Sequence, residues 1–285
     1  MMNSNGLRTV FLMTLVAVLV MFVGYLVAGT SGMVIAFVVA TAMNFFSYWK
    51  SDKMVLKMYD AQPVDRQSHP GLYRMMEELT QNADLPMPAL YIIPQQQPNA
   101  FATGRNPEHS AVAFTQGILQ TLNEDELRGV AAHELAHIKN RDILTSTVVA
   151  TVVSALSMLA QFAYFIPMGD RDRGNPLVTI IVLITAPLAA MLLKAAISRT
   201  REYEADREGA RISGKPQQLA SALQRIQKAA KQIPMNVSES AMRSTSHMFP
   251  VNPFSGKRLM SLFSTHPETE ERVERLMEMG RTGTF

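Results

Sequence analysis

Two apolar stretches near the N-terminus constrain the fold of this 285-residue chain more than any other feature. Residues 7–29 contain one charged side chain, Arg8, and residues 33–49 contain none. Stretches of this length and composition can cross a bilayer as helices. A cleaved signal peptide is the alternative, but its apolar core is shorter and no second span follows it so closely. The short linker at residues 29–32 therefore predicts a transmembrane hairpin.

The cationic residues predict the orientation of this hairpin. Arg8 precedes the first stretch, and the linker carries no charge. Three lysines follow the second stretch: Lys50, Lys53 and Lys57. Because lysine and arginine are enriched on the cytoplasmic side of membrane spans, both ends of the hairpin are predicted to be cytoplasmic. Tyr48 and Trp49 close the second stretch as interfacial anchors.

Two further apolar blocks, residues 143–168 and 177–197, predict a second hairpin. The first block has no charged residue, and the second has only Lys194, close to its end. Basic residues flank the outer ends of the pair: Lys139, Arg141, Arg199 and Arg201. This hairpin is therefore also predicted to open to the cytoplasm. A buried helical hairpin of a large soluble domain is the alternative, because Pro187 and several Thr and Ser residues weaken the second block.

Composition limits the chemistry and the partners of the chain. It has no cysteine, so it can form neither a disulfide nor a thiolate ligand or nucleophile. Its formal net charge is only +3, and no basic run is interleaved with aromatic residues. The sequence therefore does not predict a nucleic-acid partner.

The segment between the hairpins predicts a small mixed domain. A helical pattern begins at residues 69–71 and ends before Pro86, and residues 89–93 form a short buried strand. Residues 99–104 and 110–115 predict a strand pair around a turn. A short helix at residues 117–122 follows. Asn123 and Glu126 then form a capping box for a helix that extends to about Asp142.

The sequence AAHELAHIKN, at residues 131–140, suggests a metal site on that capped helix. His133 and His137 are four residues apart, so they share a helix face and can present two nitrogens to one cation. Glu134 lies beside the first histidine, where its carboxylate can take a proton from an attacking water. An amphipathic helix whose histidines are satisfied by neighbouring groups is the alternative. Small Ala132 and Ala136 leave room beside the histidines and favour the metal site.

A catalytic zinc site needs three protein ligands, so a third ligand must come from elsewhere. The extended pattern HExxHxxGxxH is absent, because Asn140 and Ile143 occupy its last two positions. The candidate segment is REYEAD, residues 201–206, in the mostly helical C-terminal part. Glu202 and Asp206 share a helix face, whereas Glu204 lies about 200° round the helix. Glu202 as ligand allows Asp206 to accept the other N–H of a ligand histidine.

A charge-rich stretch such as REYEAD is more often a solvated helix face, and that is the alternative for this segment. Three small residues would let its helix approach the HELAH helix closely: Ala205, Gly209 and Ala210. The pairing with HELAH across a hydrophobic hairpin favours the ligand role.

These motifs, in this order, resemble the HtpX group of membrane metalloproteases, which are relatives of the CAAX prenyl endopeptidases. The matching segments are HELAHIKNRD at 133–142, EYEAD at 202–206, NAFATG at 99–104, TLNEDE at 121–126, NPF at 252–254 and THP at 265–267. The resemblance implies a mainly α, polytopic membrane protein with a gluzincin-like α+β metalloprotease domain and a small edge sheet. It implies one zinc ion per subunit with His133, His137 and Glu202 as ligands, Glu134 as general base and Asp206 in support.

The resemblance also implies residues that contact the substrate. The strand formed by Asn99, Ala100, Phe101, Ala102 and Thr103 would pair with an extended polypeptide, and an ordinary edge strand is the alternative. His266 is implied as a transition-state donor or an extra ligand, with a helix cap as the alternative.

Four segments follow from these predictions. Residues 1–50 form an N-terminal transmembrane hairpin, and residues 51–142 form the first part of the catalytic domain. Residues 143–198 form the second hydrophobic hairpin, and residues 199–285 form the second part of the catalytic domain with the third ligand. The resemblance implies a multi-pass protein of the bacterial inner membrane, with a cytoplasmic active site that removes misfolded membrane proteins during heat or other stress.

Three other functions remain open from the sequence. The first is a processing protease that matures one specific protein, as the CAAX endopeptidases do. The second is a non-enzymatic membrane scaffold with an inert metal site. The third is a transporter, although the predicted spans lack the several ionisable residues that mark a transport path.

Overall fold

A computed structural model describes a mainly helical chain with one small mixed sheet. It describes residues 4–150, 152–153, 199–237, 244–245, 248–251 and 267–284. Most of the predicted second hairpin, residues 143–198, lies outside the described residues, and so does His266.

The N-terminal helical run α1 (Ser4–Met58) reverses direction at Gly29. Gly29 has φ +60°, a left-handed conformation that glycine adopts without steric cost. The two halves lie side by side, since Asn44 Nδ2 donates a 3.3 Å hydrogen bond to the carbonyl oxygen of Met13, 31 residues away. A straight helix would hold these two residues about 46 Å apart. The chain therefore forms a helical hairpin here.

A close glycine contact holds the two halves together. A Cβ added at Gly24 would lie 2.5 Å from the carbonyl oxygen of Gly32, so a larger side chain would separate them. The outer surface of the second half is apolar and exposed: Val34, Ile35, Phe37, Val38, Val39, Phe45 and Phe46. Among the described residues, one stretch, Gly29–Lys50, is long and apolar enough to cross a membrane.

The sheet has four strands in the order β1-β2-β4-β3. Its strands are β1 (Gln62–Pro63), β2 (Ala89–Ile93), β3 (Ala100–Asn106) and β4 (His109–Thr115). β3 and β4 form an antiparallel hairpin, and β2 pairs with β4 in parallel. The predicted strand at 89–93 and the predicted strand pair are confirmed. The two-residue β1 was not predicted, because it is too short to show an alternating pattern.

Six further helices have the bounds given next, and residues 143–150 are helical as well. The six are α2 (Pro70–Ala83), α3 (Gln116–Thr121), α4 (Glu124–Lys139), α5 (Arg199–Ser213), α6 (Pro216–Ala230) and α7 (Thr269–Thr282). The predicted capping box of α4 is confirmed. Asn123 Oδ1 accepts from the backbone N–H of Glu126 at 2.9 Å, and Glu126 Oε2 accepts from that of Asn123 at 3.0 Å.

α4 lies at the centre of the domain and packs against α2, α5, α6 and β3. Its contact with α5 is close because Gly209 lies directly against the backbone of His133. The predicted small residues Ala205, Gly209 and Ala210 are all buried in this contact face of α5. The two helices that carry the candidate ligands are therefore neighbours in the core.

Candidate metal centre

Three predicted ligands from α4 and α5 converge on one point. One ligand atom each of His133, His137 and Glu202 lies within 4.8 Å of the other two. His133 Nε2 is 3.8 Å from one carboxylate oxygen of Glu202, and His137 Nε2 is 3.7 Å from the other. The two imidazole rings are almost perpendicular, at 87°, with centroids 4.8 Å apart.

This arrangement fits a tetrahedral metal ion. Ligand atoms that lie about 2.0–2.1 Å from zinc are roughly 3.3–3.4 Å apart. The two nitrogen–oxygen separations, each to a different oxygen of Glu202, exceed that by a few tenths of an ångström. His133 Nε2 is buried and has no hydrogen-bond partner among the described residues. Two imidazole nitrogens and one carboxylate form a donor set that zinc accepts at catalytic sites.

Each histidine has a carboxylate behind it. His133 Nδ1 lies 3.0 Å from Asp206 Oδ1, and His137 Nδ1 lies 3.2 Å from Asp142 Oδ2. The His137 contact is a hydrogen bond, whereas the His133 contact has the distance of one without its angle. In both rings Nε2 is left facing Glu202. Asp142 was not predicted in this role; its position just beyond α4, where the chain turns, gave no periodic signal.

Arg272 of α7 also belongs to the centre and was not predicted. Its side chain is 1% exposed and donates two 2.7 Å hydrogen bonds to the carboxylate of Asp206. Its third nitrogen donates to the carbonyl oxygen of Pro250 and lies 3.5 Å from Glu202 Oε2. An arginine on the buried stripe Thr269–Arg272–Leu276 of an amphipathic helix was the available sequence signal.

The centre has an excess of acidic groups. The buried carboxyl groups outnumber the buried guanidinium groups by four to two. The carboxyl groups belong to Glu134, Asp142, Glu202 and Asp206, and the guanidinium groups belong to Arg201 and Arg272. A divalent cation would offset this excess, which is costly in a buried site. Burial alone would lower the pKa of His137, but the nearby carboxylates of Asp142 and Glu202 outweigh it and raise that pKa to about 9.

Glu134 lies beside the three candidate ligands in a different environment. Its carboxylate is buried and lies close to the backbone N–H of Ala102 in β3. Its Oε1 has no hydrogen-bond partner in the part of the chain that is described. Burial raises the pKa of Glu134 to about 7. A carboxyl group with that pKa can exchange protons near neutral pH.

The predicted substrate strand lies at the edge of the sheet, next to this carboxylate. β3 is the terminal strand of the described sheet. The side chains of Phe101 and Thr103 are buried in the core, so only the backbone of β3 is available to a substrate at these positions. Asn99 is also buried, and its Nδ2 has no partner among the described residues.

Comparison with known proteins agrees with this chemistry. Residues 66–280 match Peptidase family M48. A "Protease HtpX homolog" from Burkholderia thailandensis is 55% identical over 285 residues, covering 99% of both chains, and one from Burkholderia mallei is 54% identical over the same length. The crystal structure of S. mikatae Ste24p aligns with a TM-score of 0.49 at 18% identity, over 85% of this chain and 57% of that one. The chain belongs to Peptidase family M48, as a membrane metalloendopeptidase of the HtpX type.

Proposed function

We propose that the protein hydrolyses peptide bonds of misfolded or damaged membrane proteins at the cytoplasmic face of the bacterial inner membrane. One zinc ion per subunit is held by His133, His137 and Glu202. The observation that carries this proposal is the convergence of both Nε2 atoms on the two carboxylate oxygens of Glu202, at 3.7 and 3.8 Å. Asp206 and Asp142 orient the imidazoles, and Arg272 holds Asp206.

Zinc, when bound, polarises a peptide carbonyl and lowers the pKa of water to about 7. Glu134 accepts the proton of the attacking water on its free carboxylate oxygen and delivers it to the nitrogen of the leaving amine. Its raised pKa, about 7, suits both transfers near neutral pH. The carboxylate lies beside the edge strand, close to the N–H of Ala102.

The substrate backbone lies along β3 as an added strand. Asn99 accepts a backbone hydrogen bond from Thr115, so the peptide groups of Asn99, Phe101 and Thr103 face β4. Those of Ala100 and Ala102 face the open edge, where the Asn99 amide is an additional donor. His266 is a further candidate for contact with the reacting carbonyl.

The membrane arrangement in this proposal is polytopic. Residues 1–50 and 143–198 form two hairpins, and residues 51–142 and 199–285 assemble into one catalytic domain. The basic residues that flank the apolar stretches support a cytoplasmic position for this domain.

The test is peptidase activity of the full-length protein in detergent, with casein and a membrane protein as substrates. Wild type should cleave both, lose activity to a chelator and regain it with zinc. Glu134→Gln should lower the rate by about 10²–10⁴-fold, the usual contribution of a general base, while zinc content stays at the wild-type level.

The matched control is Glu204→Gln on α5, since Glu204 is exposed on the opposite side of that helix. This variant should cleave at the wild-type rate. Full activity of Glu134→Gln, or activity that a chelator does not affect, contradicts the proposal. One dominant product among membrane proteins would instead indicate a processing protease.

A further inference from the structure

Arg105 of β3 contacts Trp49 at the end of the apolar stretch of α1. The guanidinium carbon of Arg105 lies 4.6 Å from the centroid of the Trp49 ring, a cation–π geometry. Tryptophan favours the level of the lipid headgroups, and the charged residues that follow the second apolar stretch of α1 begin directly after it at Lys50. The contact therefore joins the substrate strand to the membrane surface.

A β-bulge aims Arg105 at this contact. Gly104 pairs with Ser110 and Asn106 pairs with His109, so Arg105 is the extra residue between the two pairs. Gly104 has φ +140°, and a Cβ there would collide with the backbone of His109. Bulges redirect a side chain without ending the strand pair, so the contact depends on the hairpin backbone as well as on the arginine.

A second contact shows that β3 runs alongside the end of α1. Phe101 packs against Tyr59 with ring centroids 5.6 Å apart. The ten residues from Trp49 to Tyr59 span about 15 Å of helix. The four residues from Phe101 to Arg105 span about 13 Å of strand. Because the two lengths agree, β3 follows the α1 axis from the level of Tyr59 back to the membrane level at Trp49.

These contacts fix the distance between the membrane and the site. α4, which carries Glu134, packs against β3, and Ala102 is the β3 residue whose N–H lies beside that carboxylate. Ala102 is three residues from Arg105, or about 10 Å along the strand. We propose that the protein selects extended segments next to a membrane span and cuts them about three to six residues beyond the end of that span, because an extended chain covers about 3.3 Å per residue. This inference rests on the proposed function and specifies its substrate class.

The test uses the full-length protein in liposomes with single-span substrates. Each substrate carries a cytoplasmic tail made of identical repeats of one readily cleaved peptide, so that only distance from the membrane distinguishes the sites. Mass spectrometry of the products should locate cleavage in the repeat nearest the span. Even cleavage along the tail would overturn the inference.

Trp49→Ala and Arg105→Ala should shift cleavage toward distal repeats by about threefold, since each removes one cation–π contact. Trp49 lies outside both the metal centre and β3, so Trp49→Ala should cleave the same repeat as a soluble peptide in detergent within about twofold of wild type. For Arg105→Ala, the distribution of cuts along the anchored tail is the readout, because Arg105 belongs to the strand that binds the substrate. The controls are Tyr25→Ala, an exposed aromatic residue in the first half of α1, and Arg66→Ala, an exposed arginine before α2. Both should keep the wild-type pattern.

The outcomes separate the two proposals. If wild type cuts neither the anchored nor the soluble substrate, the proposed function fails. If it cuts the soluble peptide and cuts anchored tails evenly, only the inference about distance fails. If both Trp49→Ala and Arg105→Ala cut the anchored tail at the same repeats as wild type, the inference about distance is also overturned.

Discussion

Glu134 and Glu202 carry the same functional group but lie in surroundings that give them different roles. The Glu202 carboxylate faces two imidazole nitrogens and the guanidinium of Arg272. Glu134 has a backbone N–H as neighbour, and burial raises its pKa to about 7. Carboxyl groups in such different environments commonly divide into ligand or stabiliser and proton carrier. These surroundings support the proposal that Glu202 binds the metal and Glu134 carries the proton.

Arg272 gives the first prediction at the residue scale. Arg272→Ala leaves the buried carboxylate of Asp206 without its cationic partner, which should cost about 3–5 kcal/mol in the free energy of unfolding. Because Asp206 orients His133, zinc affinity should fall by about 10–100-fold. Arg272→Lys keeps the charge but loses the paired hydrogen bonds. Its free energy of unfolding and its zinc affinity should therefore lie between those of wild type and those of Arg272→Ala.

Chemical unfolding and chelator competition measure these two quantities. Arg281→Ala is the matched control, because Arg281 is exposed in the last turn of the same helix. Its free energy of unfolding should change by less than about 0.5 kcal/mol. Wild-type zinc affinity in Arg272→Ala would contradict the role given to this arginine.

Local periodicity explains which of these residues could be predicted. The helix period separates Glu202 and Asp206 from Glu204, and the structure places Glu204 on the exposed side. Arg272 reaches Asp206 from a helix 66 residues further along the chain, and its contact depends on how α7 packs. Asp142 contacts His137 through the turn after α4. Neither contact has a local pattern that sequence reasoning can use.

At the scale of elements, the α4–α5 contact determines whether the ligands meet. A Cβ at Gly209 would lie 2.9 Å from both the nitrogen and the Cα of His133. Alanine stabilises an isolated helix by about 1 kcal/mol relative to glycine, but overpacking costs about 1–3 kcal/mol. Gly209→Ala should therefore lower both the free energy of unfolding and zinc affinity, measured by thermal unfolding with and without zinc.

Gly71→Ala provides the comparison, since nothing lies within 4 Å of the Cβ position at Gly71 in α2. It should be neutral or slightly stabilising. If Gly71→Ala and Gly209→Ala have the same free energy of unfolding and the same zinc affinity, the close approach of α5 to α4 does not constrain the centre.

Elements with their own start signals were predictable. The capping box placed the start of α4 at Asn123, and Pro70 opens α2. The parallel pairing of β2 with β4 joins strands that are separated by the β3 segment, so it depends on long-range packing. The bulge at Arg105 depends on the conformation of Gly104, which the sequence letters alone do not reveal.

At the scale of the whole molecule, the reversal at Gly29 and the flanking lysines predict a topology that can be measured. The chain has no cysteine, so single cysteines can be introduced without background. In intact cells, a membrane-impermeant maleimide should label Thr30→Cys, next to the reversal. Gln67→Cys, beyond α1, should be labelled only after the inner membrane is opened, because basic flanks remain cytoplasmic. The opposite pattern would contradict a cytoplasmic catalytic domain.

The central claim is that side chains from two helices, distant in the sequence, hold one metal ion. The most direct measurement is the zinc content of purified protein after dialysis against a weak chelator. Wild type should retain about one zinc per chain, and Glu204→Ala should retain the same amount. Glu202→Ala should lose its zinc, because two imidazoles alone remain as ligands. If Glu202→Ala keeps zinc as wild type does, Glu202 is not a ligand and the proposed metal centre is wrong.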